Sequence, residues 1–153
     1  MTIQNFRKIR RDGKIIDDSM TIDEIFSWGT PEKIIELRWD NNNQPTSLKS
    51  IHGVLAKIVS GGEYIAAKIH NDDSGRNSTL WIINADGSMR LQIPNDHSIN
   101  GKNVSGDFGW LEKSRTQQPN IFGVIFECRD KNLMFQLDID AANGNVIGIY
   151  PAR

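Results

Sequence analysis

The sequence predicts a mainly β, antiparallel fold in a single domain with one short N-terminal helix. From residue 34 onward, short β-branched and aromatic runs alternate with Gly, Asn and Asp punctuation. Two segments in the C-terminal two-thirds correspond run for run, and each is predicted to hold four strands. A chain of 153 residues with 38% apolar side chains can bury one core.

The N-terminal part, residues 1–47, is predicted to contain a hairpin, the helix and a strand. Asp12-Gly13 is a hairpin turn signal. The run from 34 to 39 alternates between apolar and polar residues, which favours a strand. The polar run from 40 to 45 is predicted to be an exposed loop that separates this part from the repeat.

The short helix is predicted at residues 21–29. Thr21 and Glu24 have the spacing of a capping box, and Gly29 is suited to end the helix. Three apolar residues are expected to share one helix face: Ile22, Ile25 and Phe26.

The repeat consists of two four-stranded antiparallel meanders, at residues 51–93 and 107–150. Their last hairpins turn at Asp86-Gly87 and at Asn143-Gly144, dipeptides that supply the positive φ angles of a type I′ turn. The polar stretch 94–106 between the units is predicted to be a long loop. Each unit is thus expected to be one antiparallel sheet.

The hairpin predicted over Trp81–Ser88 resembles the join between the third and fourth strands of a β-propeller blade. Two units are too few to close a propeller, which typically takes four or more blades. Three arrangements stay open: a half-propeller covered by the N-terminal part, a curled sheet or sandwich, or a ring of several chains.

Candidate metal ligands are few. His52, His70 and His97 lie in separate segments without the close His or Cys spacing of zinc sites. His70 stands at a strand end before Asp72 and Asp73, where a solvated side chain is the favoured interpretation. No metal and no cofactor are predicted.

Other reactive residues have structural interpretations. Asp138, Asp140 and Asn143 superficially suggest a calcium loop, but Ala142 occupies a ligand position and no closing Glu follows, so they are interpreted as turn residues. Cys128 is expected to pack in the core. Without a nucleophile or phosphate-binding motif, no catalytic residue is assigned and the chain is predicted not to be an enzyme.

Charge is distributed unevenly along the chain. Residues 1–14 carry five basic and one acidic side chain, whereas residues 15–40 carry two basic and seven acidic ones. The basic cluster could contact phosphates, but a hairpin would scatter its cations and the acidic segment would repel nucleic acid. We therefore predict a partner-binding face with acidic residues and two aromatic anchors: Asp17, Asp18, Asp23, Glu24, Trp28, Glu32, Glu36 and Trp39. Core packing is the alternative for both Trp residues.

A small, acidic-faced chain without a catalytic motif resembles bacterial immunity proteins, including those of contact-dependent growth inhibition systems. The resemblance implies that the chain binds and neutralises a basic cognate toxin, for example a nuclease. The N-terminal basic run is no secretory signal and Cys128 has no second Cys to pair with, which predicts a cytoplasmic protein without membrane segments. The alternatives are a structural or homo-oligomeric β-repeat protein and a hydrolase of unknown substrate.

Overall fold

A computed structural model of the chain describes residues 2–129 and 132–152, so the ends of the predicted domain, 1 and 153, lie outside the described residues. The N-terminal part forms an antiparallel sheet of four strands: β1 (Ile3–Arg10), β2 (Ile15–Asp17), β3 (Ile34–Asn41) and β4 (Gln44–Lys49). Their order is β2-β1-β3-β4, and the helix α1 (Ile22–Phe26) lies between β2 and β3 in the chain. The hairpin, the helix and the 34–39 strand are confirmed.

The first predicted unit is the middle sheet, a meander of β5 (Val54–Ile58), β6 (Tyr64–His70), β7 (Ser78–Asn84) and β8 (Met89–Ile93). The second unit is the meander of β10 (Lys102–Glu112), β11 (Ile121–Cys128), β12 (Met134–Asp140) and β13 (Val146–Pro151). Both four-stranded meanders and the mainly β fold class are therefore confirmed. The resemblance to propeller blades stays a prediction.

The polar stretch between the units is not a loop, so that prediction is wrong. It folds into a hairpin in which β9 (Asp96–Ile99) pairs antiparallel with the start of β10 and makes the C-terminal sheet five-stranded. Asn100 and Gly101 both adopt positive φ angles at its turn, as a type I′ turn requires. The predicted 40–45 loop is likewise a tight turn, with Asn42 and Asn43 at positive φ.

The turn type predicted for the two unit-ending hairpins is also wrong. At Asp86-Gly87 and Asn143-Gly144 the glycine has a positive φ, +90° and +81°, while the residue before it does not. Register shifts follow in both hairpins. A type I turn followed by a glycine bulge has this pattern.

The middle sheet is buried on both faces, which explains the apolar run of β6. Ala66 and Leu80 belong to the hydrophobic cluster shared with the C-terminal sheet, whereas Ile65, Ala67 and Ile83 belong to the cluster shared with the N-terminal sheet. Strands buried on both faces lack the usual alternation of apolar and polar residues. The molecule is thus three sheets packed face to face.

Within the described ranges, no helix is long and apolar enough to span a lipid bilayer.

Candidate partner-binding surface

The predicted acidic residues separate into two groups in the structure. Asp17 accepts hydrogen bonds from Ser19 Oγ and Ser19 N, at 2.5 and 2.9 Å, and these bonds lower the pKa of Asp17. Glu36 is half-buried and accepts two hydrogen bonds from Arg38, at 3.0 and 3.1 Å, which lower the pKa of Glu36. The other group is exposed to solvent: Asp18, Asp23, Glu24 and Glu32.

Trp39 is a core residue and presents no surface to a partner. It is 0% exposed, and its Nε1 donates a 2.7 Å hydrogen bond to Ala85 O in the middle sheet. Phe6 packs beside it with the ring centroids 6.4 Å apart. Of the two interpretations that the sequence allows, the structure shows core packing.

Trp28 follows α1 and packs against two cationic side chains of the first hairpin. It is half-buried, with the Arg10 guanidinium 5.2 Å and Lys14 Nζ 5.5 Å from its ring centroid. Arg10 is only 4% exposed and also donates to Asp12 Oδ2 at 2.6 Å and to Thr30 O at 3.1 Å. These contacts attach the end of the helical segment to the first hairpin.

Helix α1 is capped as predicted but does not bury its apolar face. Glu24 N donates to Thr21 Oγ1 at 3.2 Å. No residue of α1 is buried, and Ile22 and Phe26 are 68% and 70% exposed. Sequence reasoning missed this exposure because an amphipathic pattern is typical of a core-facing helix. We name the α1 surface by its members: Asp18, Ile22, Asp23, Glu24 and Phe26.

The cationic side chains of residues 1–14 contact different partners, as expected for residues spread over a hairpin. Arg7 Nη2 lies 3.9 Å from Asp40 Oδ1, and Arg11 Nη2 lies 3.3 Å from Asp73 Oδ1. Burial lowers the pKa of Lys8. Their different partners favour structural contacts over one phosphate-binding stripe.

The cluster around Asp73 ties loops together. Asp73 Oδ1 lies 3.0 Å from His52 Nδ1, and Lys33 Nζ donates to Asp73 O at 2.5 Å. The hydrogen bonds with His52 and then Arg11 lower the pKa of Asp73. Within residues 2–129 and 132–152, no group of three or more His, Cys, Asp or Glu side chains could hold a metal ion.

His70 is less solvated than predicted. Both its ring nitrogens are buried, and a side chain at Gly53 would come within 2.8 Å of Nδ1. Burial lowers the pKa of His70, and Lys68 lowers it further. The interpretation as a solvated strand-end residue is wrong.

Asp138 is a buried strand residue, so its interpretation as a turn residue is wrong. It is 0% exposed on β12, and its Oδ2 accepts hydrogen bonds from Arg115 N at 2.9 Å and Thr116 N at 3.1 Å. Gln136 Nε2 donates to Asp138 Oδ1 at 3.1 Å and to Lys113 O at 2.9 Å. This pair therefore fixes the loop between β10 and β11. Asp140 and Asn143 do cap a turn.

A cleft of about 520 Å³ lies between that loop and the turn joining β5 to β6. Apolar side chains such as Ile58 and Phe122 line it. Among the described residues that line it, the titratable ones are Lys57 and Lys113. A hydrolase site would be expected to bring several kinds of titratable group together, and this cleft does not.

His97 and Cys128 belong to the core between the middle and C-terminal sheets. His97 is 8% exposed and meets the rings of Phe108 and Phe126 edge-on, with centroids 6.0 and 5.1 Å away. Cys128 is 6% exposed in the same cluster, which confirms its predicted core position. Burial lowers the pKa of His97.

The lowered pKa of His97 predicts acid sensitivity. The unfolded chain takes up a proton at this side chain near pH 6.5, while the folded chain resists it. The free energy of unfolding should therefore fall as the pH drops below about 6.5, and His70 acts in the same direction. Urea unfolding of wild type and His97→Gln at pH 7.5 and 5.5 measures this. The variant should lose less stability between the two pH values, and equal losses would contradict the prediction.

Comparison with known proteins yields a full-length structural match. No protein-family model and no curated protein matches the chain. A solved structure, described as Tne2 in complex with Tni2, contains a chain that is 33% identical to this one. The match covers 99% of each chain with a TM-score of 0.92. The likeness therefore includes all three sheets and the α1 segment.

Proposed function

Because this chain belongs to the same family as the protein it matches in the Tne2–Tni2 complex, we propose that it is the Tni2-like member of such a pair. In this role it is an immunity protein that binds a cognate Tne2-like toxin in the cytoplasm and blocks it without catalysis. The identity of 33% over 99% of both chains carries the proposal.

The contacts of the reactive side chains support binding over catalysis. His97 is packed among Phe rings, Asp138 holds a loop in place, and Asp73 joins loops of two sheets. Each group thus has a structural task. A hydrolase would require such groups to converge on one substrate position.

Binding of purified proteins tests the proposal directly. The first probe is a Tne2 homologue, to be sought in the genome that encodes this chain, and Tne2 itself is the second probe. We expect a one-to-one complex on size-exclusion chromatography with light scattering, and restored growth when the chain is co-expressed with the homologue. A homologue that remains unbound and toxic would contradict the proposal.

We further propose that the exposed acidic residues steer a basic partner. Opposite charges raise the association rate and make it sensitive to salt. Reversing Asp18, Asp23 and Glu24 to Lys should lower the association rate constant about tenfold at low salt and flatten its salt dependence. Glu63→Lys, an exposed carboxylate before β6, is the control. Equal rates for all three proteins by stopped-flow fluorescence would count against steering.

Two finer hypotheses have their own tests. If the pair serves contact-dependent growth inhibition, killing of cells that lack this chain should stop when a filter separates the competitors. If the chain is instead a ring-forming repeat protein, its mass in solution should be at least twice the 17.3 kDa of one chain.

A further inference from the structure

Helix α1 displays two large apolar side chains that are mostly exposed to solvent. Ile22 and Phe26 are four positions apart, so they lie on the same face of the helix. Their exposed fractions are 68% and 70%. An isolated helix of five residues is marginal in water, and most helical stability comes from packing of an apolar face. The apolar face of α1 is therefore not part of the core.

We propose that Ile22 and Phe26 are hydrophobic anchors that insert into an apolar pocket rimmed by Lys or Arg side chains on the cognate toxin. The inference rests on the proposed function and assigns the centre of its interface. Full desolvation of a few large side chains supplies most of the binding energy in protein complexes. The carboxylates of Asp18, Asp23 and Glu24 form the charged rim around the anchors.

Charge decides between this occupant and the other two that an apolar face could take. A second copy docking on the same surface would bring the three exposed carboxylates against their own counterparts, and like charges at an interface are strongly unfavourable. A bacterial membrane surface is anionic and would repel them as well. An apolar pocket with a cationic rim would complement the α1 surface and would avoid both kinds of charge repulsion.

The anchors are held in place before binding. The Thr21 cap fixes the first turn of α1, and Trp28, bracketed by Arg10 and Lys14, fixes the chain after it. Preorganisation of this kind lowers the entropy cost of association. Thr21→Ala should therefore weaken binding about fivefold although Thr21 itself need not touch the partner.

Calorimetric titration of full-length variants with the Tne2 homologue tests the proposal. Phe26→Ser should raise the Kd about 30-fold, and Ile22→Ser should raise it about tenfold. Ile147→Ser, an equally drastic change at a 46% exposed residue of β13, should leave the Kd within twofold. Melting temperatures of the α1 variants should match wild type because no residue of α1 is buried.

The outcomes separate the anchors from the function. Wild-type binding with an unchanged Kd for the Ile22→Ser/Phe26→Ser double variant overturns the anchor proposal and leaves the immunity role standing. Equal weakening by Ile147→Ser also overturns it, because the loss would then not be specific to α1. A homologue that fails to bind wild type overturns the proposed function, and the anchor proposal with it.

Discussion

Replacing Trp39 with Ala should destabilise the protein by about 3–5 kcal/mol, the range for deleting a large buried aromatic side chain. Trp39 is fully buried between the N-terminal and middle sheets and donates a hydrogen bond to Ala85 O at 2.7 Å. The variant loses the ring contacts and leaves Ala85 O without this donor. For a domain of this size the midpoint of thermal unfolding should fall by roughly 10 °C.

Trp39→Phe is the matched control, since it keeps an aromatic ring but removes the donor. Its loss should be smaller, about 1–2 kcal/mol. Thermal and urea unfolding of the three proteins measure the effects. A normal melting temperature for Trp39→Ala together with lost toxin binding would instead make Trp39 an interface anchor, contrary to the structure.

Trp39 and Phe26 show where sequence patterns separate core from surface and where they do not. Both lie in runs with apolar periodicity, and a pattern marks an apolar face without naming what covers it. β3 has a second sheet against its face, so Trp39 is covered. Helix α1 is five residues long and lies in the connection between β2 and β3, and no sheet covers Phe26, which is exposed. The sequence patterns thus predicted the strand β3 and the helix α1 correctly. They did not predict which of the two apolar faces is covered, because that depends on packing against residues distant in the sequence.

The predicted loop between the two meanders shows a different limit of sequence reasoning. The two meanders follow from local runs and turn residues, so they were predictable. β9 was not predicted because Asp96, His97 and Ser98 are polar and Asp is depleted in strands, although these residues pair with the strand that begins at Lys102. This pairing is local, since Asn100-Gly101 is an Asn-Gly hairpin signal between the two strands, but the polar composition of the stretch favoured a loop.

Asp138 is a buried polar residue whose contacts the sequence pattern did not reveal, and removing its side chain should also have a large effect on stability. Asp138→Ala removes the buried acceptor of two hydrogen bonds, from Arg115 N and Thr116 N, and a hydrogen bond to a charged group contributes about 1.5–3 kcal/mol. We expect a total loss of about 3 kcal/mol in the free energy of unfolding. The loop over the cleft should loosen as well. Hydrogen exchange of these two amides should therefore accelerate more than that of other amides in the sheet.

Two variants make this prediction specific to the buried carboxylate. Asp138→Asn keeps one acceptor oxygen for the loop N–H groups, but its NH₂ group faces Gln136 Nε2, so Gln136 loses either this hydrogen bond or, if its amide turns, the one to Lys113 O. The loss should therefore be smaller than for Asp138→Ala, about 1–1.5 kcal/mol. Asp140→Ala removes a carboxylate that accepts from Ala142 N in the following turn, and it should leave the Arg115 and Thr116 amides as protected as in wild type. If Asp140→Ala and Asp138→Ala loosened the loop equally, the effect would come from β12 as a whole. Selective loosening by Asp138→Ala means that one side chain, placed on a strand by its neighbours, holds the loop that borders the cleft.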